Sequence, residues 1–311
     1  MPDPLGGLTP NQVRAAAHRG GPLLVLGGAG TGRSSVLVSR FAHLVAEGAA
    51  PETILLLTRT AAAADGLRAR VEDALGDRAF EELPVLPFYG LCARLLRDEA
   101  LEAGVDPFAV TAAPADRLAL LLERVDELTL RRHDLSGRPA AMLSAVVARI
   151  DRLKEAGIDA EAYAAWAAML PEEEERTERE REFAGIYTAH DRLLSEHGLL
   201  DFGDLVLRAL DLLETRPHVR ARTAARWRHV LVDDLEDATP AQERLAALLA
   251  AEHGDLVMTA DDDQAVHEPR GAAARLRDVL ATRVGGRTVE LVRLERSLRC
   301  PAPVVAAVQA V

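Results

Sequence analysis

Residues 23–38, LLVLGGAGTGRSSVLV, decide how the chain is read. A short apolar run, LLVLG, gives way to a glycine-rich turn, and a helical pattern begins at Ser34. Gly27, Gly28, Gly30 and Gly32 carry no Cβ, so the backbone there can turn tightly and aim successive N–H groups at a phosphate chain, with the positive end of the following helix behind them. The candidate contacts are Gly28, Ala29, Gly30, Thr31, Gly32, Arg33, Ser34 and Ser35. The spacing follows G-x-x-x-x-G-K-[ST] at Gly27, Gly32 and Ser34, whose hydroxyl stands where Mg²⁺ would be held, but Arg33 occupies the lysine position. Turns of this composition also form without a nucleotide, so a second element has to discriminate.

A nucleotide-hydrolysing loop needs an acidic residue at the end of a neighbouring hydrophobic strand to hold Mg²⁺, and a further carboxylate to orient the attacking water. HVLVDD at 229–234 has that form, with Asp233 as metal candidate and Asp234 as water-orienting candidate. A third strand end, TADDDQ at 259–264, offers Gln264 to a γ-phosphate.

Around these segments the rhythm is α/β. ILLLT at 54–58 and VLPFY at 85–89 read as strands, and helices are expected from Thr60, over 203–213, from Pro240 and from Pro301. DLVMTADDD at 255–263 and TVELVRL at 288–294 complete the set of strands. Apolar runs too short for helices, alternating with amphipathic helices, imply a buried parallel sheet. Between about 101 and 200 the texture is Ala-, Leu-, Arg- and Glu-rich with helical periodicity and nothing strand-like, which predicts an all-helical insertion. The expected division is 1–100, 101–198 and 199–311.

With 311 residues the chain can bury a proper core without disulfides, and its two cysteines, Cys92 and Cys300, belong to no metal-ligand pattern. A reducing, cytoplasmic setting is expected. No run of 18 apolar residues occurs, so no membrane partner is expected. The net charge of −12 excludes a uniformly basic nucleic-acid coat while leaving room for a local groove. Of the 37 basic residues only Lys154 is a lysine. Trp166 and Trp227 read as packing residues, and His190 and His197 as helix-surface residues.

Eight stretches, in order, resemble the first motor domain of superfamily 1 DNA helicases of the UvrD/Rep/PcrA type. They are LTPNQ at 8–12, GGAGTGRS at 27–34, ILLLTRTAAAADGLRARV at 54–71, PFYGLCARLLR at 87–97 (the "TFHSLCARILR" type), LLDFGDLV at 199–206 ("LDFDDLL"), VLVDDLEDATPAQ at 230–242 ("ILVDEFQDTNPAQ"), ADDDQAVHEPRGA at 260–272 ("GDDDQSIYRFRGA") and LERSLRC at 294–300 ("LEQNYRS"). The resemblance implies a RecA-like P-loop NTPase sheet flanked by helices and interrupted by a helical subdomain. It further implies ATP and Mg²⁺ as cofactors, with Gln12 reading the base, Arg299 meeting the γ-phosphate, and Arg59, Tyr89 and His267 facing single-stranded DNA.

The DNA-facing positions depart from the family, with Arg59 for a stacking aromatic, Tyr89 for a histidine and His267 for a tyrosine, and the ATP site departs more. Arginine replaces the family's lysine at 33, and Asp234 is one methylene shorter than its glutamate. The two residues that would sandwich adenine are Ser35 and Leu298. The chain also ends where a second RecA-like domain would begin. The expectation is therefore an ATP-binding helicase domain that couples hydrolysis to translocation, with impaired turnover and completed by a second RecA-like domain. The alternative is a degenerate nucleotide- or DNA-binding scaffold subunit of a helicase or helicase–nuclease complex.

Overall fold

The computed structural model describes residues 3–77, 79–131, 138–171, 175–261, 283–301, 303 and 304. The chain divides into two compact units, residues 1–91 with 213–311, and residues 92–212. In chain order the first unit begins with α1 (Pro10–Ala16), β1 (Leu23–Gly27), α2 (Arg33–Ala46), β2 (Ile54–Thr58), α3 (Ala61–Leu75) and β3 (Val85–Pro87). Next come α4 (Phe88–Asp98), α5 (Ala100–Ala103), β4 (Val110–Thr111), α6 (Pro114–Glu123), α7 (Pro139–Glu155), α8 (Ala160–Ala168), α9 (Glu175–Glu196), β5 (Leu199–Leu200) and α10 (Phe202–Thr215). The chain closes with α11 (Pro217–Arg226), β6 (His229–Val232), α12 (Pro240–Leu249), β7 (Leu256–Ala260), β8 (Arg283–Val284), β9 (Arg287–Thr288) and β10 (Glu290–Leu294).

The first unit is built on a six-stranded sheet in the order β10-β1-β7-β6-β2-β3, with every pairing parallel. All residues of β1, β2 and β7 are buried, which is why these strands read as unbroken apolar runs. Leu23, Val25, Leu56, Leu231, Val257 and Val292 of the sheet pack with Val36, Leu37 and Phe41 of α2 and Leu67 and Val71 of α3 in one core. Each such side chain contributes about 1.5–3 kcal/mol by leaving water. Because the sheet is parallel, the C-terminal ends of all six strands lie along one edge. The pairings Leu26↔Ala260 and Val232↔Met258 place the ends of β1, β7 and β6 side by side. This RecA-like α/β architecture is the expected one.

The expected strand over 85–89 stops at Pro87, and Phe88 and Tyr89 open α4. Pairing with β2 ends at Thr58↔Pro87, where proline has no N–H to extend a ladder. Within α2 the buried Arg40 donates to the carbonyl of His18 at 2.7 Å and pairs with Asp255 at 2.8 Å. Burial would raise the Asp255 pKa, but the hydrogen bond to His229 and the charge of Arg40 outweigh it and hold it below the usual carboxylate range.

The second unit is helical, with Leu121, Leu143, Ile150, Tyr163, Phe183 and Tyr187 in its core. One two-residue parallel pairing, Val110↔Leu199 and Thr111↔Leu200, is too short for sequence periodicity to reveal. Lys154 is fully buried, with Nζ 2.9 Å from Asp191, 2.9 Å from Asp201 and 2.5 Å from Asp204. Burial disfavours its charge, but the three carboxylates more than offset this and raise its pKa. His190, expected on a helix surface, is instead buried and accepts a hydrogen bond from Arg117 at 2.9 Å, because α9 is covered on the side that carries it. Trp227 is buried, whereas Trp166 is exposed. No helix among the described residues is long and apolar enough to cross a membrane.

Candidate functional site: the phosphate-binding loop

β1 ends at Gly27 and the chain turns through residues 28–32 before α2 begins at Arg33. Gly30 and Gly32 take positive φ of 74° and 84°, a region that penalises any side chain. A Cβ would also lie 2.6 Å from the Arg299 Cβ at Gly30 and 2.6 Å from the Gln12 amide nitrogen at Gly32. The Thr31 hydroxyl donates to the Gly28 carbonyl at 2.8 Å and tightens the turn. Gly32 caps α2 without a side-chain hydrogen bond, which leaves the first N–H groups of a 14-residue helix facing outward.

Two other segments brace the loop. Gln12 is buried in α1, where its amide donates to the Thr31 carbonyl at 2.8 Å and accepts from the Thr9 N–H at 2.8 Å. Beyond β10, the Ser297 hydroxyl donates to the Ala29 carbonyl at 3.0 Å and the Leu298 N–H to the Gly30 carbonyl at 2.8 Å, which brings Arg299 over the loop. A cavity of about 360 Å³ results, lined by residues 28–35 together with Arg70, Asp234 and Arg299. Every expected loop contact, along with Asp234 and Arg299, is thus on one surface, and Ser34 faces it.

Arg33 lines the cavity as well, but its guanidinium is held by groups at the sheet edge. Its Nη1 lies 2.5 Å from the Gly27 carbonyl and 2.7 Å from Asp261, and its Nη2 lies 3.2 Å from both Asp234 and Glu236. The side-chain exposures are 12% for Arg33, 4% for Glu236, 0% for Asp261 and 41% for Asp234, so the clamp is largely closed to water. Burial acts against the Arg33 charge, yet the three carboxylates prevail and raise its pKa. Glu236 is pushed up to about 7 by burial, against the pull of Arg33. Asp234 is raised by burial and then by the nearby Asp233 charge, with Arg33 opposing.

Asp234 has φ 51° and ψ 58°, a left-handed conformation that costs a non-glycine residue free energy and that aspartate tolerates better than most. Its N–H donates to the Thr259 hydroxyl at 3.2 Å, and that hydroxyl donates to Asp233 at 2.6 Å. Asp233 is buried, with its own N–H on the Leu57 carbonyl.

The residues fit Mg²⁺ poorly as they stand. A divalent cation near Ser34 and Asp233 would need open carboxylates, but Asp234, Glu236 and Asp261 surround the Arg33 guanidinium, and Asp233 is engaged by Thr259.

Arg59 follows β2 and lies 3.5 Å from Asp237, and Tyr89 is half-buried at the start of α4. Both lie past C-terminal strand ends, on the sheet edge that carries the loop. Gln264 and His267 lie outside the described residues. Sequence reasoning missed Glu236 and Asp261 as partners of Arg33, and missed Arg70, which donates to the Ser35 hydroxyl at 2.9 Å from α3. A signal for Glu236 was present: it stands where the motif "VDEFQD" has glutamine, so a new acid and a new arginine occur in the same chain. Arg70 lies within the stretch that resembles a DNA-contacting segment, which gives no hint of the phosphate loop.

Comparison with known proteins agrees with this geometry. Residues 8–279 match the family model of the UvrD/REP helicase N-terminal domain. The chain is 32% identical over 282 residues to the ATP-dependent DNA helicase UvrD1 of Mycobacterium tuberculosis, covering 87% of this chain and 35% of that protein. It is 28% identical over 273 residues to the ATP-dependent DNA helicase PcrA of Staphylococcus aureus, covering 86% and 35%. Identity to a probable DNA helicase II homolog of Rickettsia felis is 29% over 303 residues, covering 96% and 44%. The chain spans between a third and a half of the length of these relatives. By its ordered motifs, its parallel sheet and a family match over most of its length, the chain belongs to the UvrD/REP helicase N-terminal domain family.

Proposed function

We propose that the chain is the nucleotide-binding part of a UvrD-like DNA helicase whose hydrolytic step is impaired. By motif the RecA-like body runs over 1–100 and 199–311 with 101–198 as a helical insertion, residues 92–100 and 199–212 belonging to the helical unit by packing, and a second RecA-like domain or subunit is needed to close the cleft. The loop amides with Ser34 and Arg299 hold the triphosphate, Gln12 positions the loop beside the base, and Arg59, Tyr89 and His267 meet single-stranded DNA. Gln264, with Asp233 and Asp234, completes the catalytic set.

The observation that carries the reading is the engagement of Arg33, whose guanidinium is held by three carboxylates at the edge of the cavity. A lysine at this position would present a compact charge to the β- and γ-phosphates. Asp234, which would orient the attacking water, is hydrogen-bonded to the same guanidinium and is one methylene shorter than the glutamate of its relatives. A misplacement on the order of 1 Å costs about 10²-fold in rate.

The test is phosphate release by the full-length protein with single-stranded DNA. A slow, DNA-stimulated rate is expected, rising at least about tenfold in the double variant Arg33→Lys with Asp234→Glu. A rate that stays at background in both proteins defeats the motor reading. The same clamp favours a second reading, a nucleotide- or DNA-binding scaffold whose partner hydrolyses ATP, and binding of a non-hydrolysable analogue without turnover is its signature.

A further inference from the structure

We infer that the loop takes its triphosphate free of divalent metal, with Arg33 serving as the resident cation of the carboxylate cluster and Arg70 and Arg299 as the cations that meet phosphate. The inference rests on the reading of the loop as a triphosphate site. Three acids, Asp234, Glu236 and Asp261, converge on one guanidinium that is fixed at the first turn of α2 and also donates to the Gly27 carbonyl. A metal ion would have to displace a cation that is covalently part of the loop, and so is present at high effective concentration whatever the solution holds.

On the cavity side the charge balance is reversed. Arg70 reaches in from α3 with its guanidinium on the Ser35 hydroxyl, and Arg299 crosses the loop from beyond β10. Among the described residues neither pairs with a carboxylate, and the outward N–H groups of the loop and of α2 add to their field. Two guanidinium groups suit the bidentate geometry of phosphate oxygens, and together they supply the positive charge that a bound metal otherwise contributes. Among the described residues the cavity lining includes Ser35 and no aromatic ring, so the triphosphate chain itself is the recognised group.

The experiment is calorimetric binding of a non-hydrolysable ATP analogue and of inorganic tripolyphosphate to the full-length protein, each in excess Mg²⁺ and in EDTA. Affinity in EDTA is expected to equal or exceed that in Mg²⁺, and tripolyphosphate is expected to bind within about tenfold of the nucleotide. Arg70→Ala, an exposed change on α3, should weaken binding in EDTA by about tenfold, the scale of one charge-assisted hydrogen bond, with an unchanged melting curve. Arg33→Lys should restore a preference for Mg²⁺. Tightening of the unaltered protein by Mg²⁺ of more than about tenfold overturns the inference and leaves the proposed function standing. An Arg70→Ala protein that binds normally, or failure of tripolyphosphate to bind beside a nucleotide that does, also overturns it. Absence of binding by either ligand in both conditions removes the proposed function together with the inference.

Discussion

Replacing Arg33 with methionine should destabilise the first unit and, at the same time, create a divalent-cation site where none operates now. The substitution keeps a long side chain and removes the guanidinium, leaving Glu236 and Asp261 buried beside each other without a cation. Breaking a buried ion pair by removing one partner costs about 3–5 kcal/mol. The lower end applies here, because Asp234 is 41% exposed and water screens its share, and because Glu236 can take up a proton. A loss of about 3 kcal/mol corresponds to a melting temperature about 6–12 °C lower for a unit of this size. The cost should grow as the pH rises above 7, where proton uptake by Glu236 becomes harder. Urea unfolding followed by circular dichroism measures the loss, and adding Glu236→Gln to Arg33→Met should recover at least half of it. Millimolar Mg²⁺ should stabilise Arg33→Met and leave the unaltered protein unchanged. A loss below about 1 kcal/mol, or equal stabilisation of both proteins by Mg²⁺, would refute the reasoning.

Other outcomes follow from the buried charges. In the helical unit, Lys154→Met leaves Asp201 and Asp204 without their ammonium and should cost about 3–5 kcal/mol in denaturant unfolding, whereas a surface arginine such as Arg179 should change stability by less than about 0.5 kcal/mol when truncated. Gly203→Ala would place a Cβ 2.5 Å from the Lys154 Cβ, so it should lower the melting temperature of the same unit despite alanine's better helix propensity. For pH, the folded Glu236 carboxyl titrates at about 7, well above the 4.5 of the unfolded chain. The folded state therefore binds more protons between these values, and the Glu236 contribution to stability falls as pH rises from about 4.5 to 7. Glu236→Gln should flatten that part of the stability profile, and an unchanged slope would contradict the assigned burial.

The parallel sheet was legible because burial on both faces demands unbroken apolar strands, and LLVLG and ILLLT carry that mark locally. The helical block was legible for the same local reason, through the 3.6-residue period of segments such as α7 and α9. The loop itself was readable because its glycines are required by its own backbone. What was hidden is long-range. The direction taken by the Arg33 side chain depends on acids brought in by β6 and β7, the nearest of them in sequence, Asp234, 201 residues away. Local pattern cannot choose between a guanidinium facing phosphate and one facing a sheet edge. Arg70 was hidden likewise, since its helix reads as an amphipathic surface element and only the packing of α3 beside α2 brings it to Ser35. His190 escaped because a helix that is mostly polar in sequence can still have one covered side.

The central claim is that Arg33 belongs to the carboxylate cluster and not to the phosphates. Its guanidinium ¹⁵N–¹H signals, assigned by their disappearance in Arg33→Lys, report this directly in the full-length protein. Slowly exchanging N–H signals whose shifts stay the same when a saturating non-hydrolysable ATP analogue is added are the predicted result. Signals that move on nucleotide addition while those of Arg70 and Arg299 do not would place Arg33 on the phosphates and contradict the account.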